Sequence, residues 1–184
     1  MDIRRVARSV TVVLLLLSAA VPARAADAVG AHVRATERGL SQMLAEAAAR
    51  SATLQALIER LDQSDVIVYV EHGVLETRLQ GRLRFAGARS GWRYLRVEID
   101  CRMDLTRQIA LLGHELQHAV EIAGTETTVD ERSLRHLYRE IGFALDSRES
   151  RFETDHAIET GLLVQREWQA SAQAMATARR AANY

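Results

Sequence analysis

Two histidines and a glutamate, His114, Glu115 and His118, lie in the run Leu111-Leu112-Gly113-His114-Glu115-Leu116-Gln117-His118-Ala119-Val120. On a helix, positions i and i+4 sit about 40° apart and about one turn of rise from each other. Two imidazoles placed in this way can reach one Zn²⁺, and the Glu between them can take a proton from an attacking water. Every other position from Leu111 to Val120 is uncharged, and Leu111, Leu112, Leu116, Ala119 and Val120 surround the histidines with apolar neighbours. An amphipathic surface helix would put charges on the face that the histidines occupy.

Two histidines do not complete a catalytic zinc site, which takes three protein ligands and keeps a fourth position for water. Glu121 and Gly124 stand where a HxxGxxH extension would need Gly and His, which excludes a three-histidine arrangement of that kind. Glu121 shares the helical face but lies about 10.5 Å along the axis from His114, too far for one ion. It is expected to act behind a ligand or to face solvent. Glu126, Asp130 and Glu131 come soon after the helix and could fold back, although Asp130 fits better as an N-cap. Glu153 is the preferred third ligand. It stands 35 residues after His118 in Phe152-Glu153-Thr154-Asp155-His156-Ala157, expected on the first turn of a long helix. A Glu there would also satisfy the helix dipole. Tyr138, His136 and His156 are possible donors to a developing oxyanion.

The elements that must position these groups follow from periodicity. Val33, Leu40, Met43, Leu44, Leu54, Leu57, Ile58 and Leu61 recur at helical spacing, predicting helix from Ala26 to about Asp62, divided near Ser51. Val66-Ile67-Val68-Tyr69-Val70 reads as an interior strand. Leu75 to Phe85 alternates apolar and polar positions, as a half-buried strand does. Gly87 to Gly91 supplies a turn into a third strand with Leu95, Val97 and Ile99 on one face and Trp92, Tyr94, Arg96 and Glu98 on the other. Asp104 and Gly124 bound the His114–His118 helix, and Asp130 caps another to about Ile141. The last helix is expected from about Phe152 into the Ala-rich tail. The expected class is α+β: a three-stranded antiparallel sheet packed on helices.

Composition narrows the function further. The 24 basic residues, all Arg, balance 24 acidic ones. Residues 1–25 read as a signal peptide, with Arg4, Arg5 and Arg8 before an apolar stretch from Val10 to Val21 and Ala23-Arg24-Ala25 as the cleavage site. Cleavage after Ala25 leaves residues 26–184 as a single domain, secreted or periplasmic and slightly acidic. That balance offers nothing to nucleic acid, and no stable membrane insertion is expected after cleavage. Cys101 is the only cysteine, so no disulfide forms within the chain. Pro22, the only proline, falls in the leader, which suits long helices.

HExxH on one helix with a glutamate on a later one resembles the gluzincin zinc metallopeptidases, in particular the small single-domain members. The resemblance runs from about Trp92 to Ala157 and is anchored on His114, Glu115, His118 and Glu153. It implies a zincin-like fold, Zn²⁺ held by His114, His118 and Glu153, and Glu115 as general base. It also implies a peptide or protein substrate lying along an edge strand, to which Trp92 and Tyr94 could contribute. The family often places an Asp four residues after the ligand Glu to support a zinc histidine; this chain has Ala157 there, with Asp155 two residues after Glu153. The alternative is a metal-binding, non-hydrolytic zincin-like protein or a helical adaptor in which the motif is incidental.

Overall fold

The computed structural model describes residues 30–76, 79–146 and 151–183, so the leader read in residues 1–25 lies outside the described residues. Among the described residues, five helices, a mixed four-stranded sheet and a separate two-stranded pair make up an α+β domain. In chain order the elements are β1 (Val33–Ala35), α1 (Arg38–Arg50), α2 (Ala52–Asp62), β2 (Val66–Gly73), β3 (Gly81–Arg89), β4 (Trp92–Asp100), α3 (Leu105–Ala123), α4 (Glu131–Ile141), β5 (Phe143–Ala144), β6 (Phe152–Glu153) and α5 (Asp155–Ala182).

The expected three-stranded antiparallel meander is not what forms. The strand order is β1-β2-β4-β3, with β1 and β4 both parallel to β2 and only β3 antiparallel, along β4. Alternation fixes which residues share a face but not the direction of the neighbouring strand. The physical reason lies in the connection after β2. After β2 the chain re-enters the sheet as β3 one strand position further out, and the tight Ser90-Gly91 turn then folds β4 back between β3 and β2. Ser90 and Gly91 both have positive φ, 54° and 81°. The strand expected from Leu75 begins instead at Gly81.

β1 interrupts the segment read as helix from Ala26. Val33 pairs with Val68 and is buried, and α1 starts only at Arg38. Ser51 divides the helices as expected: its hydroxyl caps α2 by accepting from Leu54 N at 3.0 Å.

One face of the sheet supplies Val66, Val68, Val70, Leu95, Val97 and Ile99 to the core. The helices answer with Leu40 and Leu44, Leu54 and Ile58, Ile109, Leu112 and Leu116, and Val164 and Trp168. The same strand parity turns Arg93 inward, paired with Val66. Its buried guanidinium is held by Asp65 and donates to Ile122 O at 2.8 Å and to the carbonyls of Ala123, Thr125 and Thr128. Ile122 and Ala123 are the last residues of α3, and Thr125 and Thr128 belong to the connection that follows it. Arg93 therefore ties the C-terminus of α3 to the sheet.

α3 and α5 pack at very short range because each has a glycine at the crossing. A Cβ at Gly113 would lie 2.7 Å from Val164 Cγ2, and one at Gly161 would lie 3.0 Å from Ala110 O and 3.1 Å from His114 Cβ. Gly113→Ala should therefore lower stability by about 1–3 kcal/mol in chemical denaturation. Gly39→Ala, in α1 with open space around it, should raise it by up to about 1 kcal/mol. Equal effects at both positions would contradict this packing.

Candidate metal centre

α3 begins at the Asp104 cap, whose carboxylate accepts from Arg107 N at 3.0 Å, and ends at Gly124. That phase turns His114, Glu115 and His118 toward one cleft, while Leu112 and Leu116 enter the core. Opposite them stands Glu153. It is not on the first turn of α5 as expected but on β6, two residues before the helix. Thr154 is the reason: its backbone is extended and its hydroxyl caps α5, accepting from Ala157 N at 3.1 Å. A Thr two residues after the expected start was the sequence signal for that boundary. β6 is also pressed against the end of α4, where a Cβ at Gly142 would lie 2.4 Å from Glu153 O.

The carboxylate of Glu153 spans both imidazoles. Oε1 lies 3.1 Å from His118 Nε2, and Oε2 lies 3.2 Å from His114 Nε2. The two rings meet edge to face with centroids 4.9 Å apart. One donor atom from each of the three residues falls within 4.8 Å of the others, so His114, His118 and Glu153 could hold a metal ion. Donors bound tetrahedrally at about 2.0–2.1 Å are separated by roughly 3.3 Å. The two histidine–carboxylate spacings, one to each oxygen, are close to that, and the nitrogen, nitrogen and oxygen donor set is one that a divalent ion such as zinc accepts.

Glu121 takes the supporting place. Its Oε2 lies 2.9 Å from His118 Nδ1, and its Oε1 accepts from the Thr154 hydroxyl at 2.8 Å. An Nδ1–H held by Glu121 leaves His118 Nε2 free to face a metal. The angle that placed Glu121 on the histidine face thus gives it a ring to hold rather than an ion. Asp155 is exposed, and Ala157 is buried with no polar group to offer. The support comes from the histidines' own helix instead of from α5.

The electrostatics follow from burial and these bonds. Burial disfavours charge on His118, but the hydrogen bonds its ring donates to the Glu121 and Glu153 carboxylates outweigh it and raise its pKa to about 9. Burial pushes the Glu153 carboxyl up, yet the bonds to His114 and His118 bring it down to about 2. Glu115 is buried, and desolvation raises its pKa above the usual carboxylate value, against the pull of His118 and His114. The backbone at Gly81, the first residue of β3, is packed onto it: a Cβ there would fall 2.6 Å from Glu115 Oε1.

The remaining expected residues separate cleanly. Tyr138 lines the cleft, with its ring edge-on to His118 at 5.2 Å and its hydroxyl donating to His118 O at 3.4 Å. His136 is exposed and pairs with Glu140, and His156 pairs with Gln117; neither borders the cleft. Glu126 is exposed in the α3–α4 connection, Asp130 caps α4, and Glu131 accepts from Phe85 N at 3.2 Å. Trp92 and Tyr94 do not line the cleft either, and Trp92 packs on His32 with ring centroids 5.1 Å apart. The strand beside the cleft is β3, with Gly81 to Arg84 along its wall.

In the metal-free protein the proton on His118 must leave before an ion can bind. Apparent zinc affinity should therefore climb about tenfold per pH unit from neutrality and level off near pH 9, where His118 loses its proton unaided. At that pH, Glu121→Ala should still weaken binding about 10–100-fold. Competition with a chelator of known affinity measures both, and indifference to pH and to Glu121 would contradict this arrangement. No family model, curated protein or solved structure matches the chain, so its own residues carry the case for what the site does.

Proposed function

We propose that this chain is a secreted or periplasmic zinc-dependent peptidase of the gluzincin type, with His114, His118 and Glu153 as ligands and Glu115 as general base. The observation that carries this reading is the buried Glu115 carboxylate beside the two histidines and Glu153, in a cleft of about 610 Å³. Strand, HExxH helix and Glu153 follow one another in the order expected of a zincin-like domain. Among the described residues no helix is long and apolar enough to cross a membrane.

Substrate would lie along β3. Asp100 N donates to Gln80 O, and Arg82 and Arg84 pair with Glu98 and Arg96, so these alternate residues turn their backbone toward β4. Gly81 and Leu83 are left with backbone groups on the free edge, where an extended peptide can add as a strand. When bound, zinc supplies a Lewis acid that acidifies water and polarises the scissile carbonyl. Glu115 takes the proton from water as its oxygen attacks the carbonyl carbon. The same carboxyl then gives that proton to the amide nitrogen as the C–N bond breaks. Burial, by raising the proton affinity of Glu115, suits it to both transfers. Glu121 holds the His118 ring in place throughout.

Glu115→Gln should retain zinc and lose about 10²–10⁴-fold in turnover of a mixed peptide library. His118→Ala should lose both metal and turnover, and Glu153→Ala should lose most of its zinc. Gly81→Ala, by displacing the Glu115 carboxylate, should reduce turnover with zinc content intact. Zinc-loaded wild type that cleaves no peptide would leave a metal-binding protein without hydrolytic activity. A chain that binds no zinc would leave a helical adaptor.

A further inference from the structure

The cleft contains a cation that its surroundings do not use. Glu131, Arg135 and Tyr138, at i, i+4 and i+7, turn one face of α4 to the cleft. A Glu four residues before an Arg ordinarily pairs with it along a helix. Here Glu131 reaches across to β3, where it accepts the Phe85 N–H. Among the described residues Arg135 makes no hydrogen bond or ion pair. The other arginines of the wall are engaged: Arg82 and Arg84 hold Glu98, the latter at 3.0 Å, and Arg151 holds Asp146 at 3.3 Å.

The place of Arg135 sets what it can reach. Tyr138, three residues further along α4, has its ring centroid 5.2 Å from that of His118, and Arg135 stands about 4.5 Å beyond Tyr138 along the wall. An extended peptide advances about 3.3 Å per residue. Glu131 also closes the free edge of β3 at Phe85, leaving Gly81 and Leu83 for a peptide that must run beside α4.

We propose that Arg135 reads a carboxylate of the bound peptide, within about three residues of the part that lies against His118. The guanidinium offers two parallel N–H donors to the two carboxylate oxygens. The carboxylate belongs either to an Asp or Glu side chain or to the C-terminus of the peptide. This assignment rests on the peptidase reading only for the ligand being a peptide.

The test is equilibrium binding to the zinc-loaded Glu115→Gln protein, which should hold peptides without consuming them. The probes are N-acetylated octapeptides with one Glu or one Gln at each position in turn, every one made as free acid and as amide. Glu peptides or free acids should bind about tenfold tighter than their neutral counterparts, and whichever pair shows the difference identifies the source of the carboxylate. Adding Arg135→Gln should abolish that preference without weakening the neutral peptides. Arg135→Lys should keep part of it, and Arg135→Glu should shift preference to a lysine-bearing set. Thermal unfolding of each variant checks that the fold is retained. Equal affinity for charged and neutral peptides, no binding of any peptide, or equal losses for both classes in Arg135→Gln would overturn the proposal. Carboxylate preference with no hydrolysis by wild type would instead remove the peptidase reading and leave Arg135 in its role.

Discussion

The centre depends on how closely α3 and α5 can approach. Gly113 and Gly161 bring the two helices together where any side chain would collide with Val164 or with His114 itself. This crossing sets the start of α5 and, through the Thr154 cap, the position of Glu153 two residues earlier. Gly142 brings the end of α4 against the same strand. Arg93 fixes α3 from its other end by taking up its last carbonyls. The carboxylate thus reaches both histidines because of packing that lies outside the centre.

The centre is also held together by its own charges. A buried carboxylate and imidazole tolerate burial when each is hydrogen-bonded to an opposite charge. His118 lies between Glu121 and Glu153, so both of its ring nitrogens have partners. Thr154 joins the two acids, donating its backbone N–H to Glu153 and its hydroxyl to Glu121. A metal would replace the proton now shared within this group, with little rearrangement required. Glu121 acts from α3 itself, the helix that carries both histidines.

Much of this was legible in the sequence, for identifiable reasons. The limits of α3, α4 and α2 could be read because Asp104, Gly124, Asp130 and Ser51 are local signals that act on adjacent backbone. The inward face of β4 followed from alternation, which packing enforces residue by residue. The parallel pairing of β2 with β4 could not be read, since period-two patterns are the same in either direction. β1 was hidden because three residues are too few to show a period against a helical background. Glu153 was found as a residue but placed on the wrong element, since an acid near a helix start reads equally as first turn or preceding strand. Distance along the helix set Glu121 aside as a ligand, and its carboxylate meets His118 Nδ1. Its bond to His118 depends on a ring orientation that spacing alone does not set.

The proposed chemistry requires two imidazoles and one carboxylate to meet at a single ion. X-ray absorption at the zinc edge, on protein loaded with one equivalent of zinc, tests this most directly. Two histidine nitrogens at about 2.0–2.1 Å and a carboxylate oxygen at about 2.0–2.2 Å are expected, with the oxygen contribution altered in Glu153→Gln and unchanged in Glu126→Gln. A zinc environment that loses no histidine signal in His118→Ala, or that is the same with and without the Glu153 carboxylate, would contradict it.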